Sequence, residues 1–184
     1  MPFQARPIRR VVTGTDAQGQ SCVLFDSAAP NVNTHVSARM TDMWVYDRAP
    51  APLSGVRDDG ALPFSFEPPH AGGHLRIVES AGKPADYDAG ADPYIKPRHA
   101  PMLAPNGTHY QGGQNLFSSP YHKSQTIDYG ILLSGCRTLL LDEGSYPLTP
   151  GDVVVQLANW HGWTNPDGGS LMAFVMMGAR EAGI

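Results

Sequence analysis

Between Thr126 and Met177 the chain alternates short apolar runs with turn signals at a nearly constant interval, and that rhythm limits the possible folds. Thr126 to Ser134, Arg137 to Leu141, Asp152 to Gln156, His161 to Thr164 and Leu171 to Met177 read as strands, rich in β-branched and aromatic residues. Ser134-Gly135, Asp142-Glu-Gly144, Pro150-Gly151 and Pro166-Asp-Gly-Gly169 separate them. Strands this short, with no room for helices between them, predict an antiparallel sandwich or barrel. The 20 glycines and 17 prolines among 184 residues fit the same turn-rich class.

The N-terminal part is sparser. Ile8 to Thr13 and Cys22 to Phe25, joined by Gly14-Thr-Asp-Ala-Gln-Gly19, predict a β-hairpin. Asp42 to Tyr46 and Leu75 to Glu79 predict two further strands, the first ended by Ala49-Pro50-Ala51-Pro52. From Ser80 to Ser119 no periodicity is sustained, so this stretch is expected to be a long covering loop and candidate lid, with a short helical turn around Ala85 to Ala89. One domain of 1–184 is expected, with N-terminal strands and covering loops over 1–117 and a barrel core over 118–178.

Composition excludes several classes. A net charge of −4 and no basic cluster beyond Arg9-Arg10 leave no footprint for nucleic acid. No apolar run approaches the length of a membrane span, and the N-terminus has no hydrophobic signal core; a cytoplasmic protein is expected. Cys22 and Cys136 are far apart, outside any Cys-x-x-Cys pattern, and are expected to be free buried thiols.

The chemistry-bearing residues lie in the dense segment. His122, Ser124 and Asp128 are separated by even intervals and share one face of a continuous strand; His161 and Trp163 share a face on a later one. Folding the two strands together would place two imidazoles, a carboxylate and a hydroxyl in one cavity. Two histidines and a carboxylate with open positions suit Fe(II), and also Mn(II), Ni(II) or Zn(II). A metal-free pocket with a His/Asp acid–base pair is the alternative. Gln156 and Ser124 are candidate proton-relay or hydrogen-bonding partners, and Trp163, Tyr129 and Trp160 candidate walls for a flat substrate. His74 is a weaker candidate for an extra ligand; His35, His99 and His109 are expected in solvated loops. Met172, Met176 and Met177 read as core filler.

The stretch His122-Lys-Ser124-Gln-Thr-Ile-Asp128 with Gly135, then Pro150-Gly151-Asp152, then His161-Gly-Trp163-Thr-Asn165, resembles the two motifs of the cupin superfamily. Ser124 stands where that pattern has a second His, and Asp128 where it has Glu. Together with Arg9-Arg-Val-Val-Thr-Gly14-x-Asp16, these residues are similar to a subgroup of small single-domain cupins in which Ser or Thr and Asp commonly fill those positions. The resemblance implies an all-β double-stranded β-helix (jelly-roll) barrel with an N-terminal β-hairpin extension. It also implies a divalent metal held by His122, His161 and Asp128, and a homodimer sharing N-terminal strands. Cupins include lyases, decarboxylases, isomerases and dioxygenases as well as non-catalytic binding modules, so the resemblance leaves the reaction open. A metal-dependent enzyme acting on a small organic acid or carbonyl compound, with the metal as Lewis acid, is the leading expectation. An Fe(II) dioxygenase and a small-molecule binding module are its alternatives.

Overall fold

A computed structural model describes residues 6–53 and 57–180. The described residues form fourteen strands and two single 3-10 turns. The strands are β1 (Arg9–Thr15), β2 (Ser21–Ala28), β3 (Asn31–Thr34), β4 (Ala38–Tyr46), β5 (Gly73–Ser80), β6 (Lys96–Leu103) and β7 (His109–Gln114). They continue as β8 (His122–Lys123), β9 (Thr126–Gly135), β10 (Arg137–Leu140), β11 (Ser145–Leu148), β12 (Val153–Leu157), β13 (Gly162–Thr164) and β14 (Ser170–Gly178). Among the described residues no helix is long and apolar enough to cross a membrane.

One wall of the barrel is a six-stranded antiparallel sheet in the order β12-β9-β14-β5-β4-β3. The opposite wall is built from two three-stranded sheets, β11-β10-β13 and β6-β7-β8. Isolated bridges between His122 and His161 and between Ser118 and Thr164 tie these two pieces together. The predicted hairpin is present as β1-β2, forming its own two-stranded sheet.

The large sheet follows the period-2 rule closely. On β9, Thr126, Asp128, Gly130 and Leu132 are buried, while Tyr129 and Leu133 face outward. Leu132 packs with Val78, Leu139, Trp163, Met172, Phe174 and Met176 to form the core between the two walls. Glycine at 135 is required by the turn into β10: its φ is +78°, and a Cβ there would run into the Gly169 carbonyl.

A buried ion pair joins β4 to β5 beside the cavity. Arg76 Nε and Nη2 donate to the two carboxylate oxygens of Asp42 at 2.6 and 3.2 Å, and both side chains are 2% exposed. The same guanidinium donates to the carbonyls of Ser65 (2.6 Å) and Phe66 (3.1 Å) and lies 4.4 Å from the Phe64 ring. Arg76 therefore clamps the irregular segment 64–67, from which Phe66 reaches the cavity.

Three expectations need correction. The stretch expected as a covering loop contains the β6-β7 hairpin, and its turn is a 3-10 turn at Ala89–Ala91. Every residue of β6 is exposed, so no burial pattern marked it in the sequence. The strands β3 and β11 were also not anticipated. Cys22 and Cys136 are free as expected but only half-buried, and the Cys136 thiol donates to the Asp167 carbonyl at 2.8 Å.

Candidate active site

His122 lies on β8 and His161 immediately precedes β13, and the antiparallel bridge makes them directly opposite neighbours. His122 N–H donates to the His161 carbonyl at 2.8 Å and His161 N–H to the His122 carbonyl at 3.0 Å. Directly opposed residues project their side chains to one face, here the interior. The ring centroids are 4.3 Å apart. Each Nδ1 faces a backbone carbonyl two residues back, Pro120 at 2.8 Å and Asn159 at 3.0 Å. A carbonyl only accepts, so each Nδ1 carries the proton and each Nε2 keeps its lone pair for the cavity. Burial lowers the pKa of both rings, that of His161 to about 3 with a contribution from His122. Both are therefore neutral at physiological pH.

The cavity they share has a volume of about 350 Å³. Asp128, Gln156, Arg76, Arg137, Trp163 and Phe174 are among the residues lining it. Asp128 and Gln156 are cross-strand partners on β9 and β12. Asp128 Oδ1 and Gln156 Nε2 are both buried with no hydrogen-bond partner. Burial raises the Asp128 carboxyl to about 6, helped by the neighbouring charge of Glu67.

Two neutral imidazoles offering Nε2 to one cavity fit a borderline divalent metal. Asp128 does not complete the set: no group of three His, Cys, Asp or Glu side chains comes together as a metal site among the described residues. The reason lies in the topology. Asp128 is on the six-stranded wall, whereas the histidines sit where the opposite wall is stitched together, and an aspartate is one methylene short of the usual glutamate.

Other expected site residues scatter. Trp163 lines the cavity and packs edge-on to His161 at 6.0 Å and to Phe174 at 5.7 Å. Ser124 is buried but turns away from the cavity, donating to Glu67 Oε1 at 2.8 Å. Tyr129 is on the outer face of β9, 38% exposed, and cannot line the cavity. Trp160 also lies outside it, packing edge-on to His109 at 6.5 Å, with the Lys123 ammonium 5.8 Å from its ring. His74 is buried in β5 but is not a cavity-lining residue, and burial lowers its pKa to about 3. His35, expected in solvent, is exposed at the cavity rim.

Glu67 was missed. Its Oε1 accepts from both Ser124 and Thr108, fixing a second carboxylate beside the site. The only sequence cue is an acid embedded in Phe64-Ser-Phe66-Glu67-Pro68-Pro69. Phe66 was missed too; its ring packs edge-on to His122 at 5.8 Å.

The two-walled all-β barrel with facing histidines has the cupin fold, and stretches of the chain are similar to curated cupin-domain proteins. No family model matches it. Its similarity to individual curated proteins is more specific. It is 47% identical over 60 residues to the cupin-domain-containing oxidoreductase srdD of Neurospora crassa, covering 32% of this chain and 31% of that protein. It is 33% identical over 106 residues to the cupin-domain-containing oxidoreductase virC of Hypocrea virens, covering 55% of this chain and 54% of that protein. The matches thus span between about a third and about half the length of these relatives. Among solved structures, a cupin-2 domain from Rhodospirillum rubrum aligns over 99% of this chain and 80% of its own, with 12% identity and a TM-score of 0.44.

Proposed function

We propose that the cavity between His122 and His161 is the active site of a metal-dependent cupin enzyme that acts on a small organic acid or carbonyl compound. The observation that carries this reading is the matched locking of both Nδ1 atoms on backbone carbonyls, which leaves two neutral Nε2 donors for one cavity. A divalent ion held by these two nitrogens would supply Lewis-acid charge to a chelated substrate oxygen. The chain's own residues supply the rest. Asp128, with its pKa near 6, is suited to exchange a proton with bound substrate around neutral pH. Gln156, whose amide has no protein partner, donates to a substrate oxygen. Ser124 acts through Glu67, as a positioning residue. Trp163 and Phe174 wall off water from the interior side.

Lyase, decarboxylase or isomerase chemistry follows from that Lewis-acid role. An oxygen-dependent oxidoreductase is the second reading, favoured by the names of the curated relatives.

Thermal-shift titration with Mn(II), Fe(II), Ni(II) and Zn(II) tests the reading. At least one ion should raise the Tm of the wild type, leave His122→Ala and His161→Ala unmoved, and still raise Asp128→Asn. A binding module that needs no metal would show no histidine-dependent shift.

The working unit in this proposal is a homodimer. Leu75, Tyr129, Leu133, Val153, Val155 and Leu157 are exposed on β5, β9 and β12 of the large sheet. In register, Val155, Tyr129, Val175 and Leu75 form one uncharged row across four strands. An apolar face without charge is self-complementary, as a two-fold interface requires, and such patches on soluble proteins mark interaction sites. Light scattering should give a dimer that Val155→Glu converts to monomer; a monomeric wild type would contradict it.

A further inference from the structure

Three of the four most shielded arginines have a carboxylate partner. Arg10 pairs with Asp58, Arg39 with Glu79 and Arg76 with Asp42. The fourth, Arg137 on β10, is 6% exposed and has no acidic partner among the described residues. Its one hydrogen bond runs from Nη1 to Ser80 Oγ at 3.2 Å, and its Nε is buried without a partner. A guanidinium has five N–H donors, all in its plane. The Trp163 and Phe174 rings, 5.3 and 6.0 Å from Arg137 Cζ, engage the cation but accept none of those in-plane donors.

The place of Arg137 gives this isolated charge a purpose. It lines the His122–His161 cavity and also an adjoining cavity of about 280 Å³ bounded by Ser80, Asn115, Ser118 and Asn165. No acidic side chain lines the second cavity, and Asp128 is the one carboxylate lining the first. Trp163 neighbours both groups, its ring 6.0 Å from that of His161 and 5.3 Å from the guanidinium.

We infer that Arg137 is the carboxylate anchor of the substrate, holding an anionic end at the junction of the two cavities while the reacting end reaches the histidine pair across the face of Trp163. This rests on the reading of the histidine cavity as the active site, and it narrows the substrate class to carboxylic acids with a flat, apolar body and a second oxygen function. Burial pushes the Arg137 pKa down to about 10, so the group stays charged at neutral pH and is stabilised by an incoming anion. Any missing counter-charge is thereby supplied by ligand rather than by the fold.

The test compares benzoate with benzamide, and cinnamate with cinnamamide, by calorimetry on chelator-treated full-length protein. Wild type should prefer at least one carboxylate over its amide by about tenfold or more. Arg137→Met should erase the preference, Arg137→Lys should weaken it, and His122→Ala/His161→Ala should retain it. If Arg137→Met does not fold, the Lys variant and the wild-type pairs decide. Absence of any carboxylate preference in wild type, or a preference that survives at Arg137→Met or Arg137→Lys undiminished, overturns the proposal. An Arg137-dependent preference in a protein that binds no metal supports the anchor while removing the metal reading.

Discussion

His122 and His161 are a hydrogen-bonded antiparallel pair: their backbones exchange both hydrogen bonds, at 2.8 and 3.0 Å, and their rings stand 4.3 Å apart. The bridge that closes one wall of the barrel is therefore also what brings the two candidate ligands together. Structure and site are coupled at this point, since any slip of register here would turn one ring out of the cavity.

Acid stability of the metal-free protein should expose these rings. His74 and His161 have folded pKa values of about 3 and His122 is also lowered, against an ordinary value of 6.5. A histidine with a depressed folded pKa binds a proton only on unfolding, so its contribution to stability is full above pH 6.5 and declines as the pH falls. Asp128 opposes this. Its carboxyl, raised to about 6 from 3.8, stabilises the fold below pH 3.8 and loses that effect as the pH rises to 6. Between pH 4 and 6, His74 and His161 against the opposing Asp128 give a net uptake on unfolding of about one proton, or roughly 1.4 kcal/mol per pH unit, and His122 adds to it in the same direction. Denaturant midpoints in chelator should fall from pH 6.5 to 5, and His122→Ala/His161→Ala should flatten that slope. A flat wild-type profile over that range would contradict the burial of the rings.

The Asp42–Arg76 pair should be costly to break from one side. Asp42→Ala leaves a buried guanidinium with only the Ser65 and Phe66 carbonyls, and a loss of about 3–5 kcal/mol is expected by urea denaturation. Because the same arginine clamps segment 64–67, protease cleavage near Phe66 should accelerate as well.

Leu132 is fully buried between the walls. Leu132→Ala should cost about 2–5 kcal/mol, whereas Leu132→Met, which keeps the volume, should cost less than about 1.5. Equal effects would mean that this face of β9 is not packed as described.

Much of this arrangement was legible because it depends on local periodicity. The turn signals around Gly135 and Pro150-Gly151 divided the strands correctly; His122 and Asp128 both line the cavity, but the continuous strand expected to carry them with Ser124 is broken between Lys123 and Thr126, and Ser124 faces Glu67 instead. Strand parity puts Tyr129, one residue from Asp128, and Trp160, one residue from His161, outside the cavity; aromatic character had suggested the opposite. Asp128 lines the same cavity, but no three-residue metal cluster forms among the described residues, because parity fixes a face and not a distance. The β6-β7 hairpin was illegible for a different reason. Pro97, Pro101, Gly112 and Gly113 interrupt it, and with β6 wholly exposed it has no apolar alternation. Glu67 and Arg137 reach the site through tertiary contacts alone, one carried by the Arg76 clamp and the other by the inward face of β10. Nothing in the immediate sequence marks Arg137, and Glu67 is marked only by its setting among Phe64, Phe66, Pro68 and Pro69.

The most direct test of the central claim is the metal content of full-length protein purified without chelator, measured by mass spectrometry beside His122→Ala/His161→Ala. The account predicts near-stoichiometric Fe, Mn, Ni or Zn in the wild type and none in the double variant. A wild type that holds no metal even after reconstitution, or a double variant that holds as much as the wild type, would contradict it.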